Sequence, residues 1–399
     1  MILVSCGRSG LDAPDPTMPK DPLCADATMA SATPTAGYCS DGSNRAPVLA
    51  PSHPLIAWTS ESDVSDDLLV DDEGVVYGNG TAVDLTGRVL WSSPVRSLAW
   101  YLDRDGQLVG SRNGRRAVWS RDGSLISESA TPLENRPTML APRGGAPSAD
   151  GTVDMRVTAW RGWTGSLSEI VRTRDDGTTV FSWAARCADT GESDGLGPAA
   201  VARLRDGRAV VLCNSWGARV RILDEHGNVD ANTAFPDEGV MSSLSINPSG
   251  DAIFASAVFE QPMTVHAVNA SGAVRWSLAL DVAAVSSTAV AADGTILLRT
   301  RSELFGINSD GTLRYRVSVP TAQLYLTLPG PSPTGMLVDS NDTVVVWGTS
   351  IEGRDLATGA LRWSVAAPAK TGFTQVVAAG PRALYAASGG RLSLLRDAR

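Results

Sequence analysis

The sequence predicts an all-β fold in which eight four-stranded antiparallel units close into a ring, an eight-bladed β-propeller. Three observations predict it. One hairpin pattern recurs along the chain at intervals of about 45 residues, a second hairpin pattern alternates with it, and no run of ten residues carries the apolar spacing of three and four that a helix needs.

The first pattern is a short apolar strand, a turn with Asp, Asn or Ser ahead of a glycine, and a second strand that often bears an aromatic residue. Its turn glycines are Gly87, Gly123, Gly177, Gly227, Gly272, Gly311 and Gly359. The clearest copy is "RDLATGALRW", with Asp355, Thr358, Gly359 and Trp363. The second pattern reads "LVDDEGVVYG", "YLDRDGQLVG", "ARLRDGRAVVLC", "INPSGDAIFAS", "VAADGTILLRT", "LVDSNDTVVVW" and "VAAGPRALYAA". Turn residues such as Asp-Gly between alternating apolar runs are strong local hairpin signals. Two hairpins per repeat make four strands. A single four-stranded sheet leaves much apolar surface in water, and stacking such sheets around an axis covers it while leaving only short edges.

The blade count follows from the ends. After the seventh copy, "FTQVVAAGPRALYAASGGRLSLLRD" supplies three strands, and "PLIAWTS" at residues 54–60, with Trp58, supplies a fourth. The last blade is therefore expected to take strands from both ends of the ordered chain, giving eight blades of about 43 residues over 54–399. A seven-bladed ring is the runner-up.

Ahead of the propeller, "LVSC" resembles a bacterial lipobox, with Cys6 as the expected lipid attachment site and residues 1–6 as the remnant of a signal peptide that extends further upstream. A free Cys in a tail is the alternative. Residues 7–53 are rich in Pro, Asp, Ala and Thr without periodicity, and are expected to be a disordered tether. The other cysteines, Cys24, Cys39, Cys187 and Cys213, are disulfide candidates: Cys24 with Cys39 inside the tether, and Cys187 with Cys213 in the folded part. A buried free thiol is the alternative for Cys213, and no Cys/His spacing suggests zinc.

Of the 399 residues 43% are hydrophobic and 19% charged, which is globular, and the net charge is −9. No basic block of the kind nucleic-acid binding requires is present, so nucleic acid is not an expected partner. No stretch approaches the roughly 18 apolar residues of a membrane helix.

"DLTGRVLW" and "DLATGALRW" resemble the tryptophan-docking repeat of quinoprotein-type (PQQ-like) propellers, with Asp84, Thr86, Gly87 and Trp91 in one copy and Asp355, Thr358, Gly359 and Trp363 in the other. Gly272 with Trp276 and Gly311 with Tyr315 keep the same offset, and Trp58 opens the ring-closing strand. The resemblance implies that these aromatic residues pack against the neighbouring blade while the turn peptide helps hold them. It covers residues 54–399.

Two branches of that superfamily matter. The quinone-dependent alcohol dehydrogenases use an adjacent Cys-Cys disulfide, which this sequence lacks. Shorter lipoprotein propellers, typified by the propeller subunit of the outer-membrane β-barrel assembly machine, share the arrangement of a Cys-headed tether ahead of a propeller. The resemblance thus implies a non-catalytic cell-envelope lipoprotein, lipid-anchored in the outer membrane or exported. It would be a monomeric protein-binding or scaffolding module with another envelope protein as partner and no cofactor. The alternative is a quinone-dependent dehydrogenase or other propeller enzyme acting on sugars or alcohols.

Catalytic motifs are sparse, and no catalytic, cofactor or metal residue is expected. "GESDG" at 191–195 fits Gly-x-Ser-x-Gly, but a Pro and a strand follow where a nucleophile elbow needs a helix. The three histidines, His53, His226 and His266, are scattered. Asp103 and Asp105 lack the spacing of a calcium loop and read as turn residues, and the acids Asp66, Asp67, Asp71, Asp72 and Glu73 read as a solvated surface. Most of the eleven Trp sit at repeat positions; Trp160 and Trp163 lie off that register and are the candidates for an exposed aromatic site. Residues 141–154 and 189–198 read as insertions around the third blade, where a partner site is first sought.

Overall fold

A computed structural model describes residues 46, 48–60, 68–78, 80–93, 98–103, 105–112, 115–129, 152–160, 166–174, 176–183, 198–215, 217–240, 242–258, 261–282, 287–321, 335–368 and 372–397. Among them every regular element is a strand. They fall into eight antiparallel sheets in chain order. The first blade holds Leu69–Val70, Val76–Gly78, Thr81–Val83 and Val89–Ser92, and the second Leu98–Leu102, Leu108–Arg112, Arg115–Trp119 and Leu125–Ser129. The fourth, sixth and seventh repeat the four-strand order over 198–236, 287–318 and 336–366.

The eighth blade closes the ring as the sequence predicts. Its three strands Gln375–Gly380, Ala383–Ser388 and Arg391–Asp397 are completed by Pro54–Ser60, which pairs antiparallel with the last of them from Pro54↔Asp397 to Ser60↔Leu392. Eight blades, and not seven, result. The buried side chains report the same closure: they form eight clusters, one in each gap between neighbouring blades. The cluster of Leu68, Val70 and Val76 with Val377, Tyr385 and Leu394 joins the first blade to the last.

Burial follows strand position. Middle strands such as Ala252–Ala257 and Thr343–Trp347 are buried along their whole length, because blades cover both of their faces. Outer strands such as Val274–Leu280 alternate between exposed and part-buried positions, because only part of each packs on a neighbour. This period of two is the pleat read out at the rim.

Two blades depart from the simple count. The third has three described strands, Thr152–Trp160, Ser166–Arg174 and Thr179–Trp183, and residues 130–151 ahead of them lie outside the described residues. In the fifth, the innermost strand is split into Gly239–Val240 and Ser245–Ile246, which both pair with Ala252–Ala257.

The end of the segment expected as a tether is packed. Residues 46 and 48–53 cross the seventh and eighth blades as a strap. Ala46 donates its N–H to Val338 O at 2.8 Å, Ser340 donates to Val48 O at 3.2 Å, and Arg382 donates to Leu49 O at 2.8 Å. Ala50 N–H is held by Asp339 Oδ2 at 2.8 Å, and His53 N–H by Asp397 Oδ1 at 2.7 Å. Ala46 is buried, and Val48 and Ala50 pack on the same apolar cluster. Composition hid this strap, because its contacts lie between 289 and 344 residues away along the chain.

Candidate functional site

The repeat residues form a set of blade-to-blade staples. Trp58, Trp91 and Trp276 each lie on the turn of the following blade. Their indole N–H groups donate to Leu85 O at 2.8 Å, Arg121 O at 2.8 Å and Ser309 O at 3.0 Å, each two residues before the turn glycine. The glycines Gly87, Gly123 and Gly311 are in the left-handed region and sit directly under the rings. Tyr315 covers Gly359 in the same way, with its ring rather than an N–H. Gly272 instead meets Ala231 and Thr233.

Cap residues build the turns. Asp84 Oδ1 accepts from the N–H groups of Thr86 and Arg88, and Asp355 Oδ1 accepts from Thr358 N–H at 2.9 Å and its hydroxyl at 2.8 Å. These bonds hold the Asp84 and Asp355 carboxyls below the usual range, Asp355 chiefly through Arg362.

Trp363 differs from its siblings. The blade that follows it is the one completed by two chain ends, so no outer turn exists there for it to cover. Its ring lies against Gly353 of its own blade and fills the gap to Val376, Leu384 and Leu395 of the eighth. Residues 49–52 of the strap line a cavity of about 130 Å³ together with Trp363, Arg362 and Asp339.

The acids read as a solvated surface are not all solvated. Asp71 is buried and accepts from Tyr77 Oη at 2.7 Å, Val75 N–H at 2.8 Å and Glu73 N–H at 3.0 Å. Burial raises its carboxyl above the usual value, and those donors offset part of the rise. Asp72 pairs with Arg121 at 2.7 Å, tying the first blade to the second. Asp66 and Asp67 lie outside the described residues. Asp103 is a turn cap, accepting from Asp105 N–H and Gln107 N–H.

Several sequence candidates lie outside the described residues: Cys6, Cys24, Cys39, Cys187, Trp163 and the "GESDG" segment. Trp160 ends the strand Thr152–Trp160. Cys213 is disulfide-bonded, and since every other cysteine lies outside the described residues, so does its partner. Of the segment read as an insertion, residues 152–154 open the third blade. There Asp154 is enclosed by two arginines, with Arg172 Nε at 2.6 Å and Arg203 Nε at 3.0 Å. His53 and His226 are exposed.

Two features stand out that sequence reading did not assemble. The first is at the rim. In six blades the residue two after the turn glycine is a Val or Leu that opens the outer strand: Val89, Leu125, Val229, Val274, Leu313 and Leu361, 41–54% exposed. Each lies on an outer strand that pairs with no further strand among the described residues. The period was in the sequence, but exposure was not.

The second is a polar cluster between the fourth and fifth blades. His266 is buried beneath Phe235 and Phe254, with ring centroids at 4.4 and 5.2 Å. Its Nε2 stands 2.9 Å from Glu238 Oε2 and 3.0 Å from Ser256 Oγ, and its Nδ1 stands 2.8 Å from Ser277 Oγ. Ser256 Oγ also bonds Glu238 Oε2. Burial lowers the imidazole's affinity for a second proton, and Glu238 offsets part of that. Ser256, His266 and Ser277 lie on three consecutive strands of one blade, a spacing visible in the sequence. Glu238 arrives from the preceding loop, which no local pattern signals.

No family model matches the chain, and no curated protein matches it. Among solved structures, the fold is similar to the Dos1 propeller, with a TM-score of 0.58 and 11% sequence identity over 87% of this chain and 95% of that one. A protein of unknown function from Bacteroides caccae aligns with a TM-score of 0.41 and 15% identity, over 66% of this chain and 94% of that one. The chain is an eight-bladed β-propeller.

Proposed function

We propose that this propeller is a binding and scaffolding module of the bacterial cell envelope, built from PQQ-like repeats and anchored by a lipid on Cys6. The rim carries the reading. Six blades each present a Val or Leu at the same register position, and half-exposed side chains of this size offer about 1 kcal/mol apiece when a partner covers them. Rigid outer strands at fixed spacing hold these groups in place before a partner arrives, which lowers the ordering cost of association. The indole staples and the capped turns that echo the PQQ-like pattern support the repeat assignment. The Leu-Val-Ser-Cys sequence and the Pro- and Ala-rich segment behind it support the anchor.

Photo-crosslinking in intact envelopes tests the binding surface. A crosslinking residue placed at Val274, Leu313 or Leu361 is expected to capture the same envelope protein from adjacent blades. Absence of a common adduct from these positions counts against the rim. Mass spectrometry of the native N-terminus tests the anchor independently: an unmodified Cys6 removes it.

A further inference from the structure

The hydrogen atoms of the His266 cluster can be assigned by elimination. An ionised Glu238 carboxylate can only accept, and it takes the hydroxyl of Ser256. The same carboxylate oxygen lies 2.9 Å from His266 Nε2, so Nε2 carries the imidazole proton and donates it. The Nδ1 lone pair is then free to accept, and the group placed to donate to it is Ser277 Oγ, at 2.8 Å. Ser277 is exposed on the outer strand Val274–Leu280, while the imidazole behind it is enclosed by Phe235 and Phe254. A carboxylate that orients a neutral imidazole, and an imidazole that accepts from a solvent-facing serine, are the parts that activate a serine nucleophile, wherever in a fold they occur.

We propose that Ser277 is an activated nucleophile, with His266 as its general base and Glu238 as the residue that orients the imidazole, and that it takes acyl groups from activated esters.

The step balances within these groups. Ser277 Oγ bonds to the ester carbonyl carbon while its proton passes to His266 Nδ1. The tetrahedral adduct then expels the alkoxide, breaking the carbon–oxygen bond of the ester, and the proton on Nδ1 passes to that leaving oxygen. The product is an O-acylated Ser277 and a free alcohol. Burial lowers the imidazole's affinity for a second proton and so favours the neutral form, whose free nitrogen accepts one. Ser277 lies on the outer strand that Val274 opens, three residues further along, and covalent labelling of its hydroxyl is a readout separate from partner capture at the rim.

The test treats the full chain with a fluorophosphonate, which reports serine nucleophilicity without requiring the natural ester. One adduct per chain, mapped to Ser277 and absent from Ser277→Ala, is expected. Glu238→Gln and His266→Gln are expected to slow labelling by on the order of 10²-fold. Because His266 is buried, each variant's thermal unfolding is measured alongside. Glu238→Gln, at a half-buried loop position, carries the test if His266→Gln does not fold. No adduct at Ser277, or a rate unchanged in a folded Glu238→Gln, overturns the proposal.

Discussion

Trp276 lies directly on Gly311 of the next blade: a Cβ built on Gly311 would stand 2.6 Å from the indole Cδ2, and the indole N–H donates to Ser309 O at 3.0 Å. The contact therefore combines a ring face with no room for a side chain and a hydrogen bond to the turn beneath it. Gly250 makes a clean comparison. Its φ of 81° is close to the 88° of Gly311, yet nothing lies within 4 Å of the Cβ it would carry. Gly250→Ala is expected to cost about 1 kcal/mol, the backbone strain alone. Gly311→Ala is expected to cost about 3 kcal/mol, because the ring must also move. Urea unfolding of both variants measures the difference, and equal losses would show that the indole contributes nothing to the blade contact.

Asp71 supplies a pH dependence whose sign is set by burial. Its folded pKa is raised above that of the unfolded chain, so the stability it contributes is full in acid and is lost as pH rises through the folded value. At neutral pH the fold holds a carboxylate that it disfavours. Asp71→Asn keeps an oxygen for the N–H groups of Glu73 and Val75 and removes the charge. The stability of the variant relative to the parent is expected to be higher at pH 7 than at pH about 4. Denaturant unfolding at the two pH values reads this out, and the opposite trend would mean that the donors around Asp71 outweigh its burial.

The strap is expected to stabilise the ring closure. Removing residues before Pro54 deletes the N–H groups of Ala46 and Ala50 that bond Val338 and Asp339, and uncovers the cluster around Leu337 and Val376. A loss of about 2–4 kcal/mol is expected, a few hydrogen bonds and a few small apolar side chains. The comparison is thermal unfolding of a chain starting at Pro54 and one starting at Ala46. Identical midpoints would make the strap a passive passenger.

Much of the fold was legible because its signals are short-range. Asp84 with Gly87, and Asp355 with Gly359, form turns from residues within five of each other, so their chemistry repeats visibly. The staple of Trp91 on Arg121 O recurs at Trp58 and Trp276 because the repeat sets a constant offset between the aromatic residue and the next turn. Trp363 shows the limit of the same reasoning. By offset it matches Trp91, but its ring has no turn to cover, since the next blade is joined from the two chain ends. Asp71 was misread for a similar reason: a run of acids looks solvated until Tyr77 and the neighbouring blade enclose one of them.

By itself, the sequence determined the strand and turn content and the repeat, because these rest on local periodicity and on turn residues with few allowed conformations; it favoured eight blades closed by residues 54–60 but left seven open, and the pairing of Pro54 with Asp397 settled the count. Only the tertiary structure decided what the closure brings together. The strap bonds Ala46, Val48, Leu49 and Ala50 to Val338, Ser340, Arg382 and Asp339, and Glu238 reaches His266 and Ser256 from a different element. Such contacts depend on how blades pack in three dimensions, where a few ångströms of side-chain placement separate an exposed acid from a buried one and an ordinary serine from one facing an imidazole.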